Sequence, residues 1–200
     1  RNDLASGSKR RTMTNTKKSI FIYSPAFEKY SYPVDALFDT TRVAKTRELL
    51  ISLGLLGNGH AAEAVPAPAT IVELQRFHSE SYLGVLQQAA KGNLTQESRR
   101  MGLGTSDCPV FPDMFDYARW ACGATLSGAK LILSGEADIA FNPSGGFHHA
   151  RAEKASGFCY LNDLVLACMR FSDSGKKVLY LDIDAHHGDG VIEAFYSTNQ

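Results

Sequence analysis

Apolar positions along this 200-residue chain switch between two periods, and the switching sketches a fold. Ser19-Ile-Phe-Ile-Tyr-Ser24 is a β-branched and aromatic run closed by Pro25, which predicts a strand. In Arg42–Leu56, Val43, Leu49, Leu50, Leu53 and Leu56 form an imperfect helical stripe that stops at Gly57-Asn58-Gly59. A second amphipathic helix is predicted over Ile71–Ala90, after the Pro66-Ala-Pro68 break, and a long one between Asp113 and Leu133, with Asp113 as its cap. Asp138–Phe141 reads as a short strand ended by Asn142-Pro-Ser-Gly-Gly146. Asn162 or Asp163 then caps a helix through Met169, Gly175 breaks it, and Lys177–Asp184 predicts a strand that is apolar on both faces. Such strands, separated by helices, imply a mainly parallel sheet covered on both sides: an α/β fold in three layers, α/β/α.

Composition narrows this reading. Apolar residues make up 44% of the chain, enough for a core, and no run approaches the ~18 apolar residues of a membrane span. The formal net charge of zero hides an asymmetry. Residues 1–20 hold six Lys or Arg against Asp3 alone, so the remainder is net acidic. Residues 1–18 read as a solvated basic extension rather than a nucleic-acid arm, and 19–200 as one domain. Cys108, Cys122, Cys159 and Cys168 lack C-x-x-C spacing and suit the reduced, mostly buried thiols of an intracellular protein. With no apolar signal segment either, the expectation is a cytoplasmic chain that contacts neither membrane nor nucleic acid directly.

The chemistry concentrates at two predicted strand ends. Tyr180-Leu-Asp-Ile-Asp-Ala-His-His-Gly-Asp-Gly190 packs three aspartates and two histidines into one stretch. At period two, Asp182, Asp184 and His186 project to the same side, and the C-terminal edge of a parallel sheet is where open α/β folds build sites. Two carboxylates and an imidazole without thiolate suit Zn²⁺, Fe²⁺ or Mn²⁺; a turn held by caps is the bland alternative. Asn142-Pro-Ser-Gly-Gly-Phe-His-His-Ala150 sets His148 and His149 side by side after two glycines, a pair suited to acid–base work if each has a carboxylate, and Asp182 and Asp189 are available. By contrast, His78 reads as a hydrogen-bonded structural residue and His60 as solvated. Met101-Gly-Leu-Gly-Thr-Ser lacks both the preceding strand and the glycine spacing of a phosphate loop.

Gly145-Gly-Phe-His-His-Ala150, Ala155-Ser-Gly-Phe-Cys-Tyr-Leu-Asn-Asp163 and Asp182-Ile-Asp-Ala-His-His-Gly-Asp-Gly190, in this order, resemble the signature blocks of histone deacetylase-like amidohydrolases of the arginase–deacetylase fold, bacterial deacetylase-like and acetoin-utilisation members above all. Weaker likeness runs from about Ile20 to the last residue. The resemblance implies zinc, or iron in its place, on Asp184 and His186, and an acid–base pair His148 and His149 backed by Asp182 and Asp189. It further implies a structural K⁺ or Na⁺ served by Asp182, Asp184 and His186. Phe158, with Gly157 beside it, would line an acyl-lysine tunnel, Asp107 would hold the substrate backbone at the rim, and Arg42 would serve an inner acetate channel.

On this resemblance the reaction is hydrolysis of an N-acetyl amide, on acetyl-lysine in a peptide or protein or on a small acetylated amine, releasing acetate. Homo-oligomerisation is compatible with it. In the family a further aspartate ligand and a tyrosine that donates to the substrate carbonyl lie well downstream of Asp-x-His, whereas only 14 residues follow His186 here. Residues 19–200 are therefore expected to be the N-terminal portion of a single deacetylase-like domain, inactive and poorly folded by itself because its sheet would keep an unpaired apolar edge. Phe147 stands where many relatives carry Trp, and Tyr32–Asp39 lacks the basic, proline-rich look of the eukaryotic counterpart, so histone tails are not implied. A dinuclear-manganese ureohydrolase of related fold and a catalytically dead acyl-binding module are the competing readings.

Overall fold

A computed structural model describes residues 17–33, 38–57, 59 and 61–196. The basic extension up to residue 16, His60 and residues 34–37 of the Tyr32–Asp39 loop lie outside the described residues.

β1 (Ser19–Ile22) is the central strand of a parallel sheet, with β2 (Ala61–Ala64) on one side and β3 (Ile139–Phe141) on the other. Its alternation sorts the two faces. Phe21 and Tyr23 pack with Leu56 and with Val43 of α1 (Arg42–Ser52), while Ile22 packs with Phe27, and with Ala124 and Trp120 of α5 (Met114–Leu133). One strand thus feeds two cores, and the layering is α/β/α as expected for apolar strands covered on both faces. A short 3₁₀ turn, Pro25–Lys29, leads out of β1.

The expected helix over Ile71–Ala90 is two helices, α2 (Ile71–Leu74) and α3 (Glu80–Ala90). Capping explains the division. The Thr70 and Glu73 side chains close a reciprocal box on α2, and the Ser79 hydroxyl accepts from the Tyr82 amide to start α3 afresh. Asp113 occupies the N-cap position of α5, but with φ 64° and without a side-chain capping bond, so its predicted role as a capping acceptor is not realised. Asn162 does cap α6 (Asp163–Asp173), its Oδ1 accepting from Val165 N at 3.0 Å. α4 (Gln96–Arg100), α7 (Asp189–Phe195) and β2, at five, seven and four residues, are too short for periodicity to reveal.

The largest core lies between α3, α5 and the chain from Phe147 to Leu161. Tyr82, fully buried, donates its hydroxyl to the Tyr160 carbonyl at 2.8 Å, which ties α3 to that irregular stretch. The predicted strand Lys177–Asp184 is not in a ladder: the segment joins no sheet, and Leu179, Leu181 and Ile183 are 90%, 77% and 90% exposed. An apolar run becomes a buried strand only beside neighbours, and among the described residues this one has none. Ile139 and Phe141 of β3 are likewise about half exposed, at 45% and 49%. Among the described residues no helix is long and apolar enough to cross a membrane.

Two glycines calibrate the packing. A Cβ on Gly123 of α5 would lie 2.0 Å from the Ala67 carbonyl oxygen, whereas one on Gly84 of α3 meets nothing within 4 Å. Gly123→Ala is expected to cost ~3 kcal/mol through backbone displacement. Gly84→Ala should instead stabilise by up to ~1 kcal/mol on helix propensity. Urea-unfolding midpoints check both, and equal shifts of the same sign would contradict this packing.

Candidate active site

Three stretches that are irregular in conformation meet at one cavity: the loop through Gly146–His149, the turn Gly157–Cys159 and the segment Asp182–Gly188 that leads into α7. His148, buried, lies with Nδ1 2.8 Å from Asp182 Oδ2, and the same oxygen accepts the Tyr180 hydroxyl. His149 Nδ1 lies 2.7 Å from Asp189 Oδ1, and the other Asp189 oxygen accepts from Arg151 at 3.2 Å. A carboxylate only accepts, so each Nδ1 carries the proton in these contacts and each Nε2 is the ring's other working nitrogen. The two ring centroids are 4.1 Å apart.

The carboxyls register these partners. The His148 and Tyr180 hydrogen bonds hold Asp182 down to about 2. Burial pushes Asp189 up, but the hydrogen bonds from His149 and Arg151 outweigh it and keep the group below its ordinary value. Asp184 is lowered chiefly by the His186 backbone N–H on its Oδ1, at 2.7 Å. Asp182 Oδ1 accepts from Asp184 N in the same way at 3.0 Å, so the chain turns here rather than running on as a strand. Of the three predicted side chains, Asp184 and His186 meet, with Asp184 Oδ1 3.0 Å from His186 Nδ1 and 3.8 Å from His148 Nε2, while Asp182 is taken up by His148 Nδ1 and Tyr180.

The cavity, of about 270 Å³, has Phe38, Arg42, Phe147 and Phe158 on its walls, with His148, His149, Asp184 and His186. Phe158 stacks on Phe38 at 5.9 Å between centroids, and the Arg42 guanidinium sits 4.4 Å over the same Phe38 ring. Gly157 and Phe158 both adopt positive φ, 53° and 64°. Asp107 holds them there, its Oδ2 accepting from Gly157 N at 3.0 Å and its carbonyl from Phe158 N at 2.9 Å, while the Tyr32 hydroxyl donates to the Phe158 carbonyl. A Cβ on Gly157 would fall 2.3 Å from His149 Cδ2, so glycine is needed for space as well as for conformation.

Asp184 Oδ1 and His186 Nδ1 lie 3.0 Å apart in hydrogen-bond contact, where a cation would have to take the place of the shared proton. The donor types, one carboxylate and one imidazole, suit a borderline divalent cation. Two donors do not complete a site, and among the described residues no group of three metal-ligating side chains converges. Sequence reasoning missed Tyr180, Arg151 and Phe38. Tyr180 lies two residues before Asp182, so the period-two argument applied to Asp184 and His186 would have found it; Arg151 and Phe38 carry no comparable signal.

A family model described as "Histone deacetylase domain" matches residues 36–200. The chain belongs to that family. It is 40% identical to histone deacetylase 3 of Oryza sativa subsp. japonica over 187 residues, covering 92% of this chain and 36% of that protein. To histone deacetylase 8 of Danio rerio it is 38% identical, covering 94% and 49%. Among solved structures, a histone deacetylase homologue from Aquifex aeolicus superposes with a TM-score of 0.81 at 34% identity, covering 92% of this chain and 49% of that one; a homologue complexed with SAHA gives 0.80 at 34% identity. The chain therefore spans half or less of these relatives' length, and its α/β architecture is the arginase–deacetylase one.

Within this deacetylase domain, His78 is a hydrogen-bonded structural residue. It is 1% exposed, its Nε2 accepts from Asn162 N at 3.0 Å, and its Nδ1 lies 3.3 Å from the Ala152 carbonyl. Burial holds its pKa down to about 4, from an ordinary 6.5. The unfolded chain therefore binds a proton at higher pH than the folded one, and stability falls as pH drops through 6.5 towards 4. From pH 7 to pH 5 this group removes ~2 kcal/mol. His78→Gln keeps an acceptor without a titrating ring, so urea unfolding of the two proteins should show the variant losing ~2 kcal/mol less over that interval. Parallel pH profiles would count against the neutral buried ring.

Proposed function

We propose that this segment carries the acid–base half of a zinc-dependent deacetylase site that hydrolyses N-acetyl amides, and that residues 19–200 form the N-terminal portion of one deacetylase-like domain. One observation carries the reading: two adjacent imidazoles, each fixed at Nδ1 by its own carboxylate, stand in an aromatic-walled cavity beside an Asp–His donor pair. The solved relative complexed with SAHA supports it, as does the absence of cysteine thiolate from the donor pair.

In this reading Asp184 and His186 hold zinc, or iron, which would supply Lewis-acid polarisation of an amide carbonyl. K⁺ or Na⁺ beside Asp182, Asp184 and His186 would stiffen the turn they share. A neutral imidazole at Nε2 takes a proton from the attacking water, and a protonated imidazole gives one to the departing amine, so the products are acetate and a free amine. Asp182 and Asp189 fix the tautomer and the orientation of each ring. Phe158 flanks the alkyl stem of the substrate, with Gly157 leaving room for His149, and Arg42 closes the inner wall where acetate forms. Asp107, with lone pairs to spare beyond Gly157 and Thr105, would receive a substrate backbone N–H. The substrate class is an acetylated lysine in a peptide or protein, or a small acetylated amine, in an intracellular setting.

The test is acetate release from an acetyl-lysine peptide by the natural full-length polypeptide. Turnover is expected to vanish with a chelator, to return with zinc, and to fall at least ~10²-fold in His149→Ala. Peptide binding without turnover would replace this reading with an acyl-binding module. Activity needing two manganese ions would replace it with a ureohydrolase.

A further inference from the structure

Catalytic geometry is usually built on helices and strands, because a loop cannot hold a side chain to a fraction of an ångström unaided. His148 and His149 lie in a segment that is neither. Their Nδ1 contacts fix the far ends of the rings; the backbone that carries them needs a separate anchor.

That anchor is the first turn of α6. Asp163, fully buried, accepts from Phe147 N at 2.8 Å and from Gly146 N at 3.1 Å, just upstream of the histidines. Its neighbour Asn162, also fully buried, donates Nδ2 to the Ala150 carbonyl at 2.8 Å, just downstream. Two consecutive residues of one helix end therefore grip both sides of the His148-His149 pair. Each is braced from behind. The Thr125 hydroxyl of α5 donates to Asp163 Oδ2 at 2.5 Å and accepts from Asn142 Nδ2 at 2.8 Å, and Asn162 N donates to His78 Nε2. The grip is closed tightly, since a Cβ on Gly145 would lie 2.3 Å from Asp163 Oδ2. Neither Asn162 nor Asp163 lines the cavity.

We infer that Asn162 and Asp163 are positioning residues for the catalytic histidines, a two-residue clamp that sets the height and direction of both rings through the backbone at Gly146–Ala150. This rests on the deacetylase reading for its kinetic consequence, but not for the clamp itself. A buried carboxylate with three donors is costly to keep unless its partners are well placed, and these partners are the loop and α5. Asp163→Asn keeps the shape but replaces one accepting oxygen with an NH₂ group, so Gly146, Phe147 and Thr125 can no longer all be satisfied. A displacement near 1 Å at the reacting groups is worth about 10²-fold in rate.

The experiment uses the full-length polypeptide with Asp163→Asn, Thr125→Val, Thr125→Ser and, as a destabilising control remote from the site, Leu86→Ala in α3. Amide hydrogen exchange of residues 146–150 is read against that of α3, and kcat and KM on an acetyl-lysine peptide are taken per folded, zinc-loaded molecule. The expected result for Asp163→Asn and Thr125→Val is exchange at least about tenfold faster at 146–150 alone, with kcat down about 10- to 100-fold and KM within about threefold. Thr125→Ser should restore both, and Leu86→Ala should change neither selectively. Exchange that rises evenly across the molecule overturns the clamp, as does an unchanged kcat per loaded molecule in an active enzyme. If the parent protein shows no turnover, the deacetylase reading fails, and the exchange pattern alone decides: local loosening sustains the clamp and uniform loosening overturns it.

Discussion

The site depends on carboxylates that reach the two imidazoles from far along the chain. His148 and His149 are adjacent, yet their partners Asp182 and Asp189 follow 34 and 40 residues later. Each contact fixes which nitrogen carries the proton, and so decides what the opposite nitrogen can do. The contacts work only if the two segments arrive at fixed places. Asp182 is the more exacting case, because one of its oxygens serves both His148 and Tyr180, and the resulting depression to about 2 keeps it an acceptor throughout the ordinary pH range.

The same demand explains how much polar material is buried behind the site. Asp163, Asn162 and His78 are each at most 1% exposed, an expensive arrangement in a core otherwise made of Tyr82, Leu86, Met114 and Leu161. Every side-chain polar atom of this trio has a partner, and the partners run in one direction, from α2–α3 and α5 through the head of α6 to the histidine loop. Apolar packing alone is tolerant of small shifts, whereas hydrogen bonds fail within fractions of an ångström. A polar network is thus the suitable material for transmitting position from rigid helices to an irregular loop.

What could be read from the sequence follows the same division. β1, β3, α5 and the start of α6 were legible because their signals are local: a β-branched run, a 20-residue stripe, an Asn with its side chain free to cap. Residue type singled out Asp182, Asp184 and His186, but the chain there turns instead of alternating as a strand, so Asp184 meets His186 while Asp182 goes to His148. The division of α2 from α3 was not, because Ser79 resembles any other polar position until its hydroxyl is seen on the Tyr82 amide. Nor was the role of Asp163, which presents in sequence as a helix-start acid and in space as a buried acceptor for a loop 16 residues earlier. Long-range hydrogen bonds leave no periodic trace.

The segment Lys177–Asp184 shows where local signal and tertiary outcome separate. Its composition asks for burial on both faces, but the described fold supplies partners on one only: Tyr180 and Asp182 turn towards His148 while Leu179, Leu181 and Ile183 face outward. At ~25 cal/mol per Å² of apolar surface, three such side chains left exposed withhold several kcal/mol. The polar side is nonetheless held by His148, through a contact of 2.8 Å. The face of this segment that has partners is thus the polar one, and there the His148 contact fixes Asp182 without the help of a sheet ladder.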